Sequence, residues 1–167
     1  MLAYLCVLNN PMDDLRLKRI INVPGRGIGP TTVEKMETLA AQQGVTLYEI
    51  LRNADLFAEL KTPAARLMKF ADLIDALRSA GSTLELPDFY DAVCDQTGYV
   101  RALEEKKDLE SRGRIENVQE LRSNIVSFMN GREYLGCVLM LAAVVLAQLP
   151  ERSKGRAASM AGEPRGK

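Results

Sequence analysis

The sequence predicts an all-α protein, an irregular bundle of about seven to nine helices. Three observations carry that expectation. Apolar residues recur at three- and four-residue steps through most of the chain. Helix-start and helix-stop residues punctuate those stretches. Alternating apolar and polar runs, the mark of a half-buried strand, are nearly absent.

The elements follow in order. Asp13 and Asp14 precede Leu15, Leu17, Ile20 and Ile21, a short helix with acidic residues at its positive end. Pro30 suits a helix's first position, with Val33, Met36 and Ala40 at helical spacing behind it and Gly44 as the stop. Thr46 and Glu49 form a capping box ahead of Ile50 and Leu51. Thr62-Pro63 reads as a cap and first turn. It opens a long helix carrying Leu67, Phe70, Ala71, Ile74 and Leu77, closed near Gly81. Pro87 starts a helix with Phe89, Tyr90, Val93 and Cys94 inward, ended by Gly98. From Val100 to Met129, Ile115, Val118, Leu121, Ile125 and Phe128 keep helical steps.

The apolar run Leu135 to Leu149 is expected to be a buried helix. At ~1.5 Å per residue it reaches ~22 Å, short of the ~30 Å hydrocarbon core, so no membrane partner is expected. The helical domain is expected over residues 1–150. Residues 151–167, rich in Gly, Ala, Ser and charge, read as a disordered tail. The N-terminus lacks a signal-peptide layout, which implies a cytoplasmic address.

Composition excludes several chemistries. With 22 basic and 22 acidic residues the net charge is zero, so coating of nucleic acid through bulk positive charge is not expected. The absence of His removes Ser-His-Asp and Cys-His catalysis and His-ligated metal sites. Cys6, Cys94 and Cys137 lack CxxC spacing and read as reduced, small apolar residues. No GxxxxGK[ST] loop is present to cradle a nucleotide. No catalytic, cofactor or metal site is therefore assigned within this chain. Glu116 and Glu120 lie one helical turn apart without a third ligand and read as solvated or Arg-paired. Arg112, Arg114 and Arg122 read as partners of nearby Glu, and Tyr4, Tyr99, Phe70 and Phe128 as core or interface residues.

One segment carries chemistry. Gly25-Arg26-Gly27-Ile28-Gly29-Pro30-Thr31-Thr32 lies between two helices. Its glycines permit positive φ and leave no Cβ in the way of a partner. Backbone N–H groups of the turn and of the next helix's start form an anion site, for which a DNA phosphate is the expected occupant. Ile28 would anchor the turn between its helices, while Arg26 and Lys35 would add charge to the phosphate face. This is helix-hairpin-helix logic, in which phosphate contacts position the protein and read no bases. A base-excision glycosylase-lyase carries a catalytic Lys two residues after the last hairpin glycine. Here that position is Thr31, which disfavours the lyase reading.

The runs Leu2-Ala3-Tyr4-Leu5, Asn10-Pro11-Met12-Asp13-Asp14-Leu15, Lys18-Arg19-Ile20-Ile21-Asn22-Val23-Pro24 and Arg26-Gly27-Ile28-Gly29 resemble the 2B subdomain of UvrD/PcrA-type superfamily 1 DNA helicases. Thr46-Leu47-Tyr48-Glu49, Gly98-Tyr99 and the run Arg114 to Leu121 follow in that family's order. The resemblance spans about residues 1–130 and fades beyond Asn130. Cys6 stands where the family carries a basic residue. The resemblance implies an all-helical insertion in a motor domain whose Gly-Ile-Gly hairpin contacts duplex DNA at a single-strand/double-strand junction. It implies Gly25, Arg26, Gly27, Ile28, Gly29, Thr31, Thr32 and Lys35 as the DNA-binding set, and helicase motor domains as partners. ATP and Mg would belong to the parent helicase only. The alternative is a helical protein–protein interaction module with a purely structural hairpin.

Overall fold

A computed structural model describes residues 1–148 of the chain. Among the described residues the structure is all-α: eight α-helices, two single-turn 3-10 helices and no strand. The helices are α1 (Leu2–Asn9), α2 (Asp14–Ile20), α3 (Pro30–Gln43), α4 (Leu47–Arg52), α5 (Ala64–Ala80), α6 (Leu86–Thr97), α7 (Tyr99–Lys106) and α8 (Leu109–Gln148). The 3-10 turns, Ala54–Leu56 and Ala58–Leu60, lead from α4 into α5. The chain divides into two compact units, Met1–Val126 and Ser127–Lys167.

The first unit is built around α5. Its Leu67, Phe70, Ala71, Ile74 and Leu77, the five positions expected from spacing, are all buried. The helix packs against α1, α4 and α6. Each fully buried Leu or Phe contributes roughly 1.5–3 kcal/mol relative to exposure, which makes this helix the main source of cohesion. Polar ties reinforce the packing. Arg78 donates to the Leu8 carbonyl at 3.1 Å, satisfying a terminal carbonyl of α1. The Tyr90 hydroxyl donates to the Val118 carbonyl at 2.9 Å. Arg122 grips Asp91 through both carboxylate oxygens, so α6 holds the first turns of α8.

Helix starts follow the expected caps at α2, where Asp13 accepts from the Arg16 N–H, and at α4, where the Thr46–Glu49 capping box is complete. Gly44 and Gly98 end α3 and α6 in the left-handed region.

Three expectations need correction, and one helix carries no signal in the sequence. α1 had no signal, because its sequence is apolar around the whole helix and lacks a polar face to define a period. Thr62 caps nothing. The helix begins at Ala64, and the Pro63 carbonyl receives its first bonds. The stretch from Val100 to Met129 is two helices. Lys107 turns left-handed at φ 55°, and Asp108 restarts the chain by accepting from the Ser111 N–H at 2.6 Å. Phe128 is exposed, with the Arg132 guanidinium 5.7 Å from its ring centroid. The run from Leu135 is helical to Gln148, yet Leu135, Val138, Leu139 and Met140 are exposed rather than buried. No helix of the described residues is long and apolar enough to cross a membrane. Cys6 and Cys94 are free thiols. The tail expected over 151–167 lies outside the described residues.

Candidate nucleic-acid interface

The turn between α2 and α3 spans Ile21 to Gly29. Its inner side is fixed by three anchors. Ile20, Ile21 and Ile28 are buried in the main core, so the chain is held apolar-side-in on both flanks. The Asn22 side chain then bridges the turn. Its Oδ1 accepts from the Arg26 N–H at 2.7 Å and from the Ile28 N–H at 3.2 Å. Two alternate N–H groups are thus tied to a side chain of the turn itself. The N–H groups between and beside them, on Gly25, Gly27 and Gly29, find no acceptor among the described residues. Gly25 and Gly27 are exposed and Gly29 is half-buried.

Only Gly27 of these three needs to be glycine for conformation, at φ +69°. Gly29 is extended, and a Cβ there or at Gly25 would meet nothing within 4 Å. Their value to a ligand is the open approach. α3 starts at Gly29 without a side-chain cap, with Pro30 at its first turn. The Thr31 N–H is left free, and the hydroxyls of Thr31 and Thr32 make no hydrogen bond among the described residues. The positive end of a fourteen-residue helix therefore meets a row of unpaired donors.

The third anchor is Arg26. Its guanidinium turns inward. It donates to the carbonyls of Ile20 (3.1 Å), Pro24 (3.2 Å) and Thr97 (3.1 Å) and to the Tyr4 hydroxyl (2.8 Å). It also lies 4.8 Å from the Phe70 ring centroid. Tyr4 in turn donates to the Val23 carbonyl. Burial pushes the Tyr4 phenol above its ordinary pKa while the guanidinium opposes that rise, so the hydroxyl stays a proton donor. The charge immediately beside the glycines belongs instead to Arg66 of α5. Its Nη1 lies 2.7 Å from where a Gly27 Cβ would sit.

Lys35, one helical turn beyond Thr31, is exposed and reaches the Glu59 carbonyl at 3.4 Å. Thr31, Glu34, Lys35 and Glu59 line one shallow groove, so Lys35 shares its surroundings with carboxylates. The structure thus leaves Gly25, Gly27 and Thr31 exposed, with Gly29 and Thr32 half-buried and Lys35 to one side. Ile28 is buried and Arg26 half-buried. Sequence reasoning missed Asn22 and Arg66. Asn22 carries a local signal, an Asn placed just before a glycine turn whose side chain bonds the backbone ahead. Arg66 has none, because α5 reaches the turn only through the fold.

Of the other charged candidates, Arg112 is exposed and makes no ion pair among the described residues. Arg114 pairs with Glu110 and Arg122 with Asp91. Glu116 and Glu120 are exposed, and no cluster among the described residues has the three acidic or sulfur ligands a metal needs.

Fold and turn together define an all-α module with a glycine-rich turn between two of its helices. The UvrD-like helicase C-terminal domain family matches residues 1–145, and the chain belongs to that family. It is 38% identical over 123 residues, 74% of its length, to the ATP-dependent DNA helicase PcrA of Staphylococcus aureus. It is 37% identical over 123 residues to the PcrA of Staphylococcus epidermidis. The chain spans about 17% of the length of these curated relatives.

Proposed function

We propose that this chain is a 2B-type module of an ATP-dependent DNA helicase, binding duplex DNA through its backbone at a single-strand/double-strand junction. The carrying observation is the alternation in the hairpin. Asn22 consumes the N–H groups of Arg26 and Ile28, which leaves those of Gly25, Gly27 and Gly29 for a phosphate. Such contacts fix position on the duplex and read no sequence. Motor domains, ATP and Mg belong to the parent helicase in this reading. The module regulates unwinding by holding the duplex.

The test is duplex binding by the chain and by Gly29→Val. A valine at this extended position strains nothing, since any residue adopts that backbone, and its side chain projects into the open face. Helix content should stay unchanged while affinity falls equally for unrelated sequences. With two or three phosphates engaged, log K against log salt should have a slope of about −2 to −3. Full affinity in folded Gly29→Val overturns this reading.

A second reading, a helical protein-interaction module, is favoured by one observation: Phe128, Leu135, Val138, Leu139 and Met140 are all exposed. It predicts salt-independent behaviour toward duplex DNA and no effect of Gly29→Val.

A further inference from the structure

We propose that Arg66 of α5 is the hairpin's side-chain phosphate ligand, and that Lys69 one turn along the same face takes the adjoining phosphate of that strand. The assignment rests on the duplex-backbone reading above and adds a second element to its footprint.

Three observations carry it. First, position: the Arg66 guanidinium lies across the exposed face of Gly27, within 2.7 Å of the site a Cβ would occupy. An anion held by the hairpin N–H groups is therefore within its reach. Second, satisfaction: Arg26 has four oxygen partners, whereas Arg66, with five donors, has no hydrogen bond or ion pair among the described residues, and neither has Lys69. Cationic side chains and unpaired N–H groups are gathered at one place, and neither cation has an ion-pair partner among the described residues. Third, shape: a cleft of about 440 Å³ lies beside the turn, with Pro24, Arg26, Arg66, Lys69 and Phe70 among its lining. Of its three cations, Arg26 is spent on oxygens of the chain, which leaves Arg66 and Lys69 on the α5 side.

The spacing agrees. Residues three apart on a helix share a face with Cβ atoms ~5–6 Å apart, so two long side chains there can reach neighbouring phosphates of one strand. The planar guanidinium also matches two phosphate oxygens at once, which a lysine at 66 would not.

Salt-dependent titration of the full chain with two short duplexes of unrelated sequence tests the assignment. Arg66→Gln should reduce the salt slope by about 0.9, and Lys69→Gln by a similar amount. Across a fourfold change in salt, the lost slope of one contact corresponds to about a 3.5-fold difference in affinity. Arg66→Lys should restore the slope, while both sequences respond alike. Thermal melts confirm that each variant is folded. If folded Arg66→Gln keeps the full slope while Gly29→Val still loses binding, the hairpin reading stands and the Arg66 assignment is overturned. If the wild-type chain shows no duplex binding at low salt, both fall.

Discussion

Three glycines among the described residues turn left-handed by nearly the same angle, Gly44 at φ 67° and Gly98 at 68° at helix ends and Gly27 at 69° within the turn between α2 and α3. They differ in what becomes of the backbone polar groups. At Gly44 the N–H groups of Gly44 and Val45 both return to the Ala40 carbonyl. At Gly98 the N–H returns to Asp95, and the Gly98 carbonyl accepts from Ala102. Those turns are closed circuits. At Gly27 the neighbouring N–H groups are captured by a side chain, Asn22, and the glycine's own is left over. A positive φ thus marks a turn. A turn with unspent donors marks a place where something else can bind.

Breaking the support behind the open turn should have the largest effect. Arg26→Met removes a half-buried cation with four oxygen acceptors and an aromatic face beneath it. We expect a loss of about 2–4 kcal/mol in urea unfolding. Under conditions where the variant is folded, its salt slope for duplex binding should match the wild type, because Arg26 touches no phosphate. A slope lowered by a full unit would place Arg26 on the outer face after all.

The next effect separates the turns from one another. Gly27→Ala, Gly44→Ala and Gly98→Ala should each lose about 1–2 kcal/mol, the cost of a Cβ in the left-handed region. At Gly44 and Gly98 the new methyl meets nothing within 4 Å. At Gly27 it also displaces Arg66. Duplex affinity should therefore drop about tenfold, equivalent to about 1.4 kcal/mol, for Gly27→Ala alone. Equal losses of binding in all three would assign the effect to general destabilisation.

Asn22→Ala probes the device that makes the difference. Releasing the Arg26 and Ile28 N–H groups should lower stability by about 1 kcal/mol and weaken duplex binding severalfold. Asn22→Asp keeps the acceptor and should recover the stability, while its added negative charge leaves binding weak.

How far these features were legible depends on how local their causes are. The capping box at Thr46 and Glu49, the Asp13 cap, the Pro30 start and the apolar face of α5 are written within single helical segments, and each is found where the spacing put it. The break at Lys107 escaped because apolar spacing continues across it. The local clue was Asp108 three residues before Ser111, a capping arrangement inside an apparently continuous helix. Within the hairpin the backbone was legible, since glycine spacing dictates where Cβ atoms are missing. Side-chain direction was not. Arg26 stands between two glycines in sequence and points to Tyr4 and Thr97, which are 22 and 71 residues away along the chain. Arg66 reaches the glycines across 39 residues by the packing of α5. Sequence proximity ranks neighbours along the chain, whereas a guanidinium goes to whichever acceptors the fold supplies.

The smallest expected effect contrasts helix starts under acid. α2, α4 and α8 begin on carboxylates: Asp13, Glu49 and Asp108 each accept a backbone N–H. Those bonds, from Arg16, Thr46 and Ser111 respectively, are the leading reason that all three carboxyls are held below the ordinary carboxylate range. α3 begins on Gly29 and has no titrating cap. A carboxyl depressed in the folded state contributes its stability above the unfolded pKa and loses it as pH falls through the folded one, because the unfolded chain takes up its proton first. Stability should therefore be level above about pH 5 and decline below about pH 4. Without histidine, no imidazole adds a step between those values and neutrality. Amide protection resolves the contrast residue by residue. Arg16, Thr46 and Ser111 should lose protection on acidification, whereas Thr32 and Val33, whose acceptor is the Gly29 carbonyl at 3.0 and 3.2 Å, should keep theirs. Early loss at Thr32 and Val33 together with Arg16 would show that the open start of α3 depends on the cap of α2. The glycine turn and the helix before it would then be one cooperative unit, loosening before the rest of the bundle.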